Sequence, residues 1–201
     1  MDLFILAALI AFGVQMLKSR EQRQRIALLG SHLGNYQIEK LMENLTQGYL
    51  RALGEHDAER SEQIWRLLRT TEVQLSEQFS RFANEFAQVP AEEAPVSRLP
   101  VAVPQAVRLF PDATFDVRKA FAIHAKGIAA AAEDNPGRSY KDKAFTMSAE
   151  LFLMQHTCHW FCKSKTVASA RMLARHQTAY DQLVASVTPA TRRAYQALIE
   201  G

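Results

Sequence analysis

The sequence predicts an all-α protein made of an N-terminal transmembrane helix, an antiparallel helical hairpin and a C-terminal helical unit. Three observations predict it. An apolar run from Leu3 to Leu17, interrupted only by Gly13 and Gln15, is followed at once by Lys18, Arg20, Arg23 and Arg25. Farther along, apolar residues recur at steps of three and four, the spacing of one helix face. Glycine is scarce, at eight of 201 residues, and β-branched runs bounded by turn signals are absent, which disfavours sheet.

The apolar run reads as a membrane anchor spanning residues 1–17, and its basic flank places the following chain in the cytoplasm with the N-terminus outside. At about 1.5 Å per residue it covers roughly 25 Å of a hydrocarbon core about 30 Å thick, the short limit for a span. Local thinning of the bilayer, or Asp2 and Lys18 reaching to the headgroups, absorbs the difference. A cleaved signal peptide fits less well, because the n-region carries Asp2 and the run ends in Gln15-Met16-Leu17-Lys18 rather than a small-residue cleavage site. An in-plane helix needs a polar face, yet Phe4, Ile5, Leu6, Leu9, Ile10, Phe12 and Val14 surround the whole circumference. A buried core helix passes the same length test.

Residues 18–88 form the juxtamembrane helix and hairpin. The first helix is expected to run to about Leu29 and break at Gly30-Ser31-His32-Leu33-Gly34. Asn35 is a candidate N-cap for a second helix carrying Ile38, Leu41, Met42, Leu45, Tyr49, Ala52 and Leu53. Gly54 suits its C-terminal end and Asp57 the start of the next. That third helix, about 58–88, has the stripe Ile64, Leu68, Thr71, Leu75, Phe79, Phe82, Phe86 and Val89, a near-heptad with one stutter at Leu75. A short loop between two amphipathic helices predicts an antiparallel hairpin. Ile64, Leu68, Leu75, Phe79, Phe82 and Phe86 form either its core or a coiled-coil face for a second subunit.

Residues 89–105 contain Pro90, Pro95, Pro100 and Pro104 without glycine and read as a semi-stiff polyproline spacer, at about 3.1 Å per residue reaching roughly 50 Å. Residues 106–201 form the C-terminal helical unit. One helix through Phe115, Val117, Phe121, His124, Ile128 and Ala131 stops before Asn135-Pro136-Gly137. Ser139 with Asp142 resembles a capping box. A long helical region from Lys141 towards Ser186 breaks near Ser164–Ser169, and Thr188-Pro189 starts a last short helix.

The strongest candidate for chemistry is Gln155-His156-Thr157-Cys158-His159-Trp160-Phe161-Cys162. Thiols and imidazoles together are a ligand set for zinc or haem iron, so His156, Cys158, His159 and Cys162 are the candidate metal ligands, with His124 or His176 as a further donor. Several ligands on one helical turn crowd a metal, however, and the flanking Leu151, Phe152, Leu153, Met154, Trp160 and Phe161 suit a central core helix. Reduced cysteines fit the cytoplasm. Ser31-His32 lacks an evident orienting acid for a nucleophile–base pair. Glu150 sits in an apolar neighbourhood, where Lys143, Lys163 or a helix end is its expected partner.

Charge is uneven. Residues 18–88 hold ten basic and ten acidic side chains, whereas residues 163–193 hold Lys163, Lys165, Arg171, Arg175, Arg192 and Arg193 against Asp181. Lys163, Lys165, Arg171 and Arg175 form a basic patch but not one stripe, and a solvated surface is its first reading; anionic lipid headgroups come next, and nucleic acid is a weaker partner, since no recognition signature accompanies the charge. There is no P-loop, dinucleotide-binding glycine pattern, HExxH or nucleophile elbow.

The layout resembles small anchored helical proteins of the bacterial inner membrane, and no motif identifies a family. The expectation is a single-pass scaffold or interaction protein at the cytoplasmic membrane face, without catalysis or cofactor, associating with a protein partner or with itself. The competing expectation is a membrane-tethered metal, haem or thiol redox sensor.

Overall fold

The structure, a computed structural model, describes residues 2–201. Nine helices are found among the described residues: α1 (Asp2–Leu33), α2 (Ile38–Gly54), α3 (Ala58–Phe86), α4 (Ala106–Leu109), α5 (Val117–Ala132), α6 (Tyr140–Cys162), α7 (Lys165–His176), α8 (Tyr180–Ser186) and α9 (Pro189–Glu200). A two-stranded antiparallel ribbon, β1 (Pro95–Ser97) with β2 (Thr114–Asp116), pairs Val96 with Phe115. The fold is all-α.

Helix α1 divides into two halves without a break. Every residue from Leu3 to Leu17 is exposed, Phe4 to 83%, while Leu29 in the second half retains only 5% exposure. Among the described residues it is the one helix long and apolar enough to cross a membrane. The expected stop at Gly30 does not occur. The Gly34 N–H donates to the Gly30 carbonyl at 2.9 Å, and His32 packs its ring edge on Phe86 with centroids 5.2 Å apart. Tertiary packing outweighs the roughly 1 kcal/mol that an interior glycine costs a helix. Nor does Asn35 cap α2. Gln37 occupies that position without a side-chain cap, and its N–H donates to the Gln78 side chain of α3 at 2.7 Å.

Helices α2 and α3 form the antiparallel hairpin. Asp57 caps α3 by accepting from the Arg60 N–H at 2.9 Å. Leu68, Leu75, Phe79, Phe82 and Phe86 are buried and Ile64 is half-buried. The buried face runs Trp65, Leu68, Glu72, Leu75, Phe79, Phe82, Phe86 and Val89, so steps of three and four alternate without the stutter. Glu72 conceals this in the sequence because it is polar. Its carboxylate is 2% exposed, accepts from the Tyr49 hydroxyl at 2.6 Å and lies 2.7 Å from the Lys143 ammonium, which also reaches Asp134 at 3.1 Å.

The phenylalanine stripe lies inside this chain's own core rather than on a coiled-coil face. Phe121 of α5 meets Phe79, Phe82 and Phe86 edge-on, with centroids 6.3, 5.2 and 5.1 Å apart. Phe161 of α6 meets Phe86 at 6.1 Å. One continuous core therefore joins the hairpin to the C-terminal helices, and the boundary expected between residues 18–88 and 106–201 does not separate two units.

The proline-rich segment is likewise no free spacer. Ala94 and Val96 are buried, the Val117 N–H donates to the Ala94 carbonyl at 3.0 Å, and the Trp160 indole N–H donates to the Ser97 carbonyl at 2.9 Å. Repeated proline restrains the chain to extended conformations, and here that extended chain supplies a β-strand against Phe115, whose ring meets Trp160 at 5.0 Å. Phe115 is accordingly in β2 rather than in the helix expected there, and Asp116 caps α5 by accepting from the Arg118 N–H at 2.8 Å.

Truncating Phe82, which is fully buried among these rings, tests where the stripe lies. Phe82→Ala is expected to lower unfolding free energy by about 3–5 kcal/mol in denaturant titrations while leaving the oligomeric state unchanged by sedimentation. A shift in association with little loss of stability would instead place the ring between subunits.

Candidate functional site

Helix α6 carries the Cys–His segment through the centre of the domain, and its polar side chains leave on three faces. The capping expected at its start is present: Ser139 accepts from the Asp142 N–H at 3.1 Å and donates to the Asp142 carboxylate at 2.6 Å.

On the inward face, Glu150, His156 and Thr157 are fully buried. The Thr157 hydroxyl donates to the Leu153 carbonyl at 3.1 Å, so its oxygen is free to accept. His124 of α5 lies 2.8 Å away through Nε2, and the Tyr195 hydroxyl of α9 lies at 3.2 Å. The arrangement selects a neutral His124 with its proton on Nε2, which leaves Nδ1 without a partner. His156 Nε2 faces the Ser169 hydroxyl of α7 at 3.0 Å. Burial drives both histidines down to about 3, with the neighbouring His156 adding to the effect on His124, and Lys165 and then His159 adding to it on His156. Glu150 finds a helix end rather than Lys143 or Lys163: it accepts from the Thr188 N–H at the start of α9 at 2.9 Å. Its second oxygen lies beside Gly127 and the Thr191 hydroxyl, where a Cβ on residue 127 would collide with both. Burial raises its pKa above the usual carboxylate range, against the opposing hydrogen bonds from Thr188 and Thr191.

A second face turns towards α7 and the α1–α2 corner. Gln155 accepts from His176 Nε2 at 3.1 Å, and Phe152 stacks on His176 at 3.8 Å. His159 Nδ1 accepts from the Arg171 guanidinium at 3.1 Å. Burial, then Arg171 and Arg175, lowers His159 to about 4. This face forms one wall of an open cleft of about 970 Å³; Leu33, Tyr36, Gln37, Met42 and Thr46 form the other. Sequence reasoning missed the cleft, because its walls are more than a hundred residues apart and their local patterns give no sign of each other.

The third face holds the cysteines. Cys158 lies 3.8 Å from Met154 Sδ and packs on the main core. Burial pushes its thiol far up, and pushes Cys162 up to about 11 despite nearby Arg25. His156, Cys158, His159 and Cys162 therefore diverge instead of converging. Among the described residues no three His, Cys, Asp or Glu side chains are placed to hold a metal ion.

The basic patch also separates. Lys163 donates to the side-chain amide oxygen of Gln22 in α1 at 3.0 Å, and Lys165 lies over the rings of Tyr180 and Trp160 at 4.6 and 5.3 Å. Arg175 lines the cleft, and Arg171 bonds His159 in its wall. Ser31 donates to its own helix at Leu28, at 2.8 Å. Its neighbour His32 instead faces Glu85 at 2.9 Å, a carboxylate that the Tyr36 and His32 hydrogen bonds hold below its usual range.

This arrangement defines an all-α protein with one helix able to span a membrane and a polar network sealed inside its domain. Compared with protein-family models, curated proteins and solved structures, the chain matches none.

Two outcomes follow from the chemistry of α6. Unfolded histidine takes up protons near 6.5 whereas folded His124 and His156 do so only near 3, so their contribution to stability is complete above pH 6.5 and is lost as the pH falls. Glu150 acts oppositely, its high folded pKa favouring the fold most below its ordinary 4.5. With His159, lowered to about 4, acting in the same sense as His124 and His156, stability is expected to decline between about pH 6.5 and pH 4.5, and His124→Gln to flatten that slope in pH-resolved thermal melts. Both thiols are expected to react with a disulfide reagent at neutral pH at least about tenfold more slowly in the folded protein than after denaturation, because the thiolate is the nucleophile.

Proposed function

We propose that the chain is a single-pass protein of the cell membrane, N-terminus outside, whose helical domain is a non-enzymatic interaction module on the cytoplasmic face. The observation that carries this reading is the two-part α1, exposed along its apolar half and built into the domain core along the other. A helix shared in this way holds the domain at a set height and orientation beneath the bilayer instead of letting it swing on a tether. Lys18, Arg20, Arg23 and Arg25 follow the apolar half and support the cytoplasmic placement. In a bacterial cell this is the inner membrane.

The phenylalanine face is used within the fold, so the surface that remains for a protein partner is the cleft beside α6, where Tyr36, Met42, Phe152, His159 and Arg175 combine apolar and cationic groups. The sensor reading has less support, because its thiols are held protonated and its candidate ligands point apart.

Fractionation of cells expressing the full chain or a version lacking residues 2–17 tests the anchor. The full chain is expected to resist alkaline washing of membranes, and the shortened one to be released. An alkali-extractable full chain would overturn the reading. Retaining residues 18–29 in the shortened version matters, since Leu29 and Arg25 belong to the packed domain.

A further inference from the structure

The segment from Leu99 to Pro111 has only Gln105 and Arg108 as polar residues, and it lies where α1 would leave the bilayer. The Gln105 N–H donates to the Glu21 carboxylate at 3.2 Å, and Val101, Ala102, Val103 and Ala106 line a small concavity together with Lys18, Glu21 and Gln22. Glu21 follows Leu17 by four residues, about 6 Å along the helix axis. The headgroup layer on each side of the hydrocarbon is of that same order of thickness. Covering of α1 begins at Lys18 and Ser19, directly after the wholly exposed apolar half.

Val101, beside Lys18 and Glu21 in that concavity, and Leu109 and Phe110, at the end of the α4 turn that follows Gln105, stand 57%, 62% and 48% exposed. We propose that residues 99–111 are a second membrane contact, with Val101, Leu109 and Phe110 entering the headgroup–acyl boundary beside the anchor. The proposal rests on the membrane-spanning reading of α1. Interfacial burial of apolar side chains next to cations is how in-plane elements bind a bilayer; Lys18 and Lys163 line the same concavity, Arg108 lies within residues 99–111, and that segment contains no carboxylate, the exposed Asp112 following directly.

The backbone suits such a place. Pro100 and Pro104 carry no N–H that would need a partner away from water. The Pro100 carbonyl accepts from both the Thr166 N–H and the Thr166 hydroxyl, at 3.0 and 2.7 Å. Gln105 adopts a left-handed backbone, φ 56°, a conformation disfavoured for residues with a Cβ; its bond to Glu21 ties this turn to the anchor helix. Docking to α1 therefore ties the segment to the end of the apolar half of that helix.

The test places an environment-sensitive fluorophore on a single cysteine in the full chain, in the background Cys158→Ser with Cys162→Ser, reconstituted in phosphatidylcholine–phosphatidylglycerol vesicles. If the background fails to fold, the label is placed in the native chain, whose buried thiols react slowly. Labels go at Phe110→Cys, Ile10→Cys and Glu55→Cys, and quenching by acyl-chain-brominated lipid is read. The expected result is quenching at 110 several-fold above that at 55, and deepest quenching at 10. Quenching at 10 with none at 110 overturns the second contact and leaves the anchor intact. Absence at both positions overturns the two together. A label at 110 shielded in a manner that depends on protein concentration and not on brominated lipid places a second copy there instead, which also overturns the proposal.

Discussion

The structure depends on the meeting of Phe79, Phe82 and Phe86 with Phe121 and Phe161. Three successive turns of α3 present rings to α5 and α6 at separations of 5.1 to 6.3 Å, in edge-on geometries that aromatic quadrupoles favour. The cluster makes the hairpin and the C-terminal helices one body. It also fixes α1, because His32 packs on Phe86 and the Arg25 guanidinium lies over Phe161. The position of the domain relative to α1 depends on these contacts.

Around that apolar centre lie two polar features of different kinds. Glu72 with Lys143 and Tyr49 is a buried ion pair joining α2, α3 and α6. Such a pair offsets its own desolvation only when its partners stay in place, so it acts on register more than on total stability. The His124–Thr157–Tyr195 chain and the Glu150–Thr188 contact fasten α9 to α5 and α6. The first joins hydroxyls to an imidazole and the second a backbone N–H to a carboxyl group, and none of these side chains lines the cleft.

The end of the domain from which the apolar half of α1 emerges unites elements far apart in the chain. The end of α6 and the start of α7 meet α1 through Lys163 and Gln22, the proline-rich segment meets α1 through Gln105 and Glu21, and Thr166 closes on Pro100. Proline there works as a rigid edge fitted to α1. The same stiffness that makes such a stretch a spacer in isolation lowers the entropy lost when it packs.

Local signals were sufficient for the fold class and several boundaries. Asp57, Ser139 and Thr188 cap helices where their sequence positions indicate, because a cap is an interaction between residues three apart. The apolar half of α1 is equally legible, since hydropathy and length are properties of the segment alone. What only the tertiary structure decided required partners distant in sequence. Gly30 stays helical because His32 and Leu33 have a surface to pack on. Glu72 takes a core position because Lys143 and Tyr49 meet it there. Prolines 95 and 100 join the domain because Trp160 and Thr166 accommodate their strand and turn. The Cys–His run reads locally as a possible ligand set, yet His156 and His159 are each taken up by a different residue of α7, Ser169 and Arg171, while Cys158 packs on Met154 and the main core; no sequence pattern states which neighbour waits on each side.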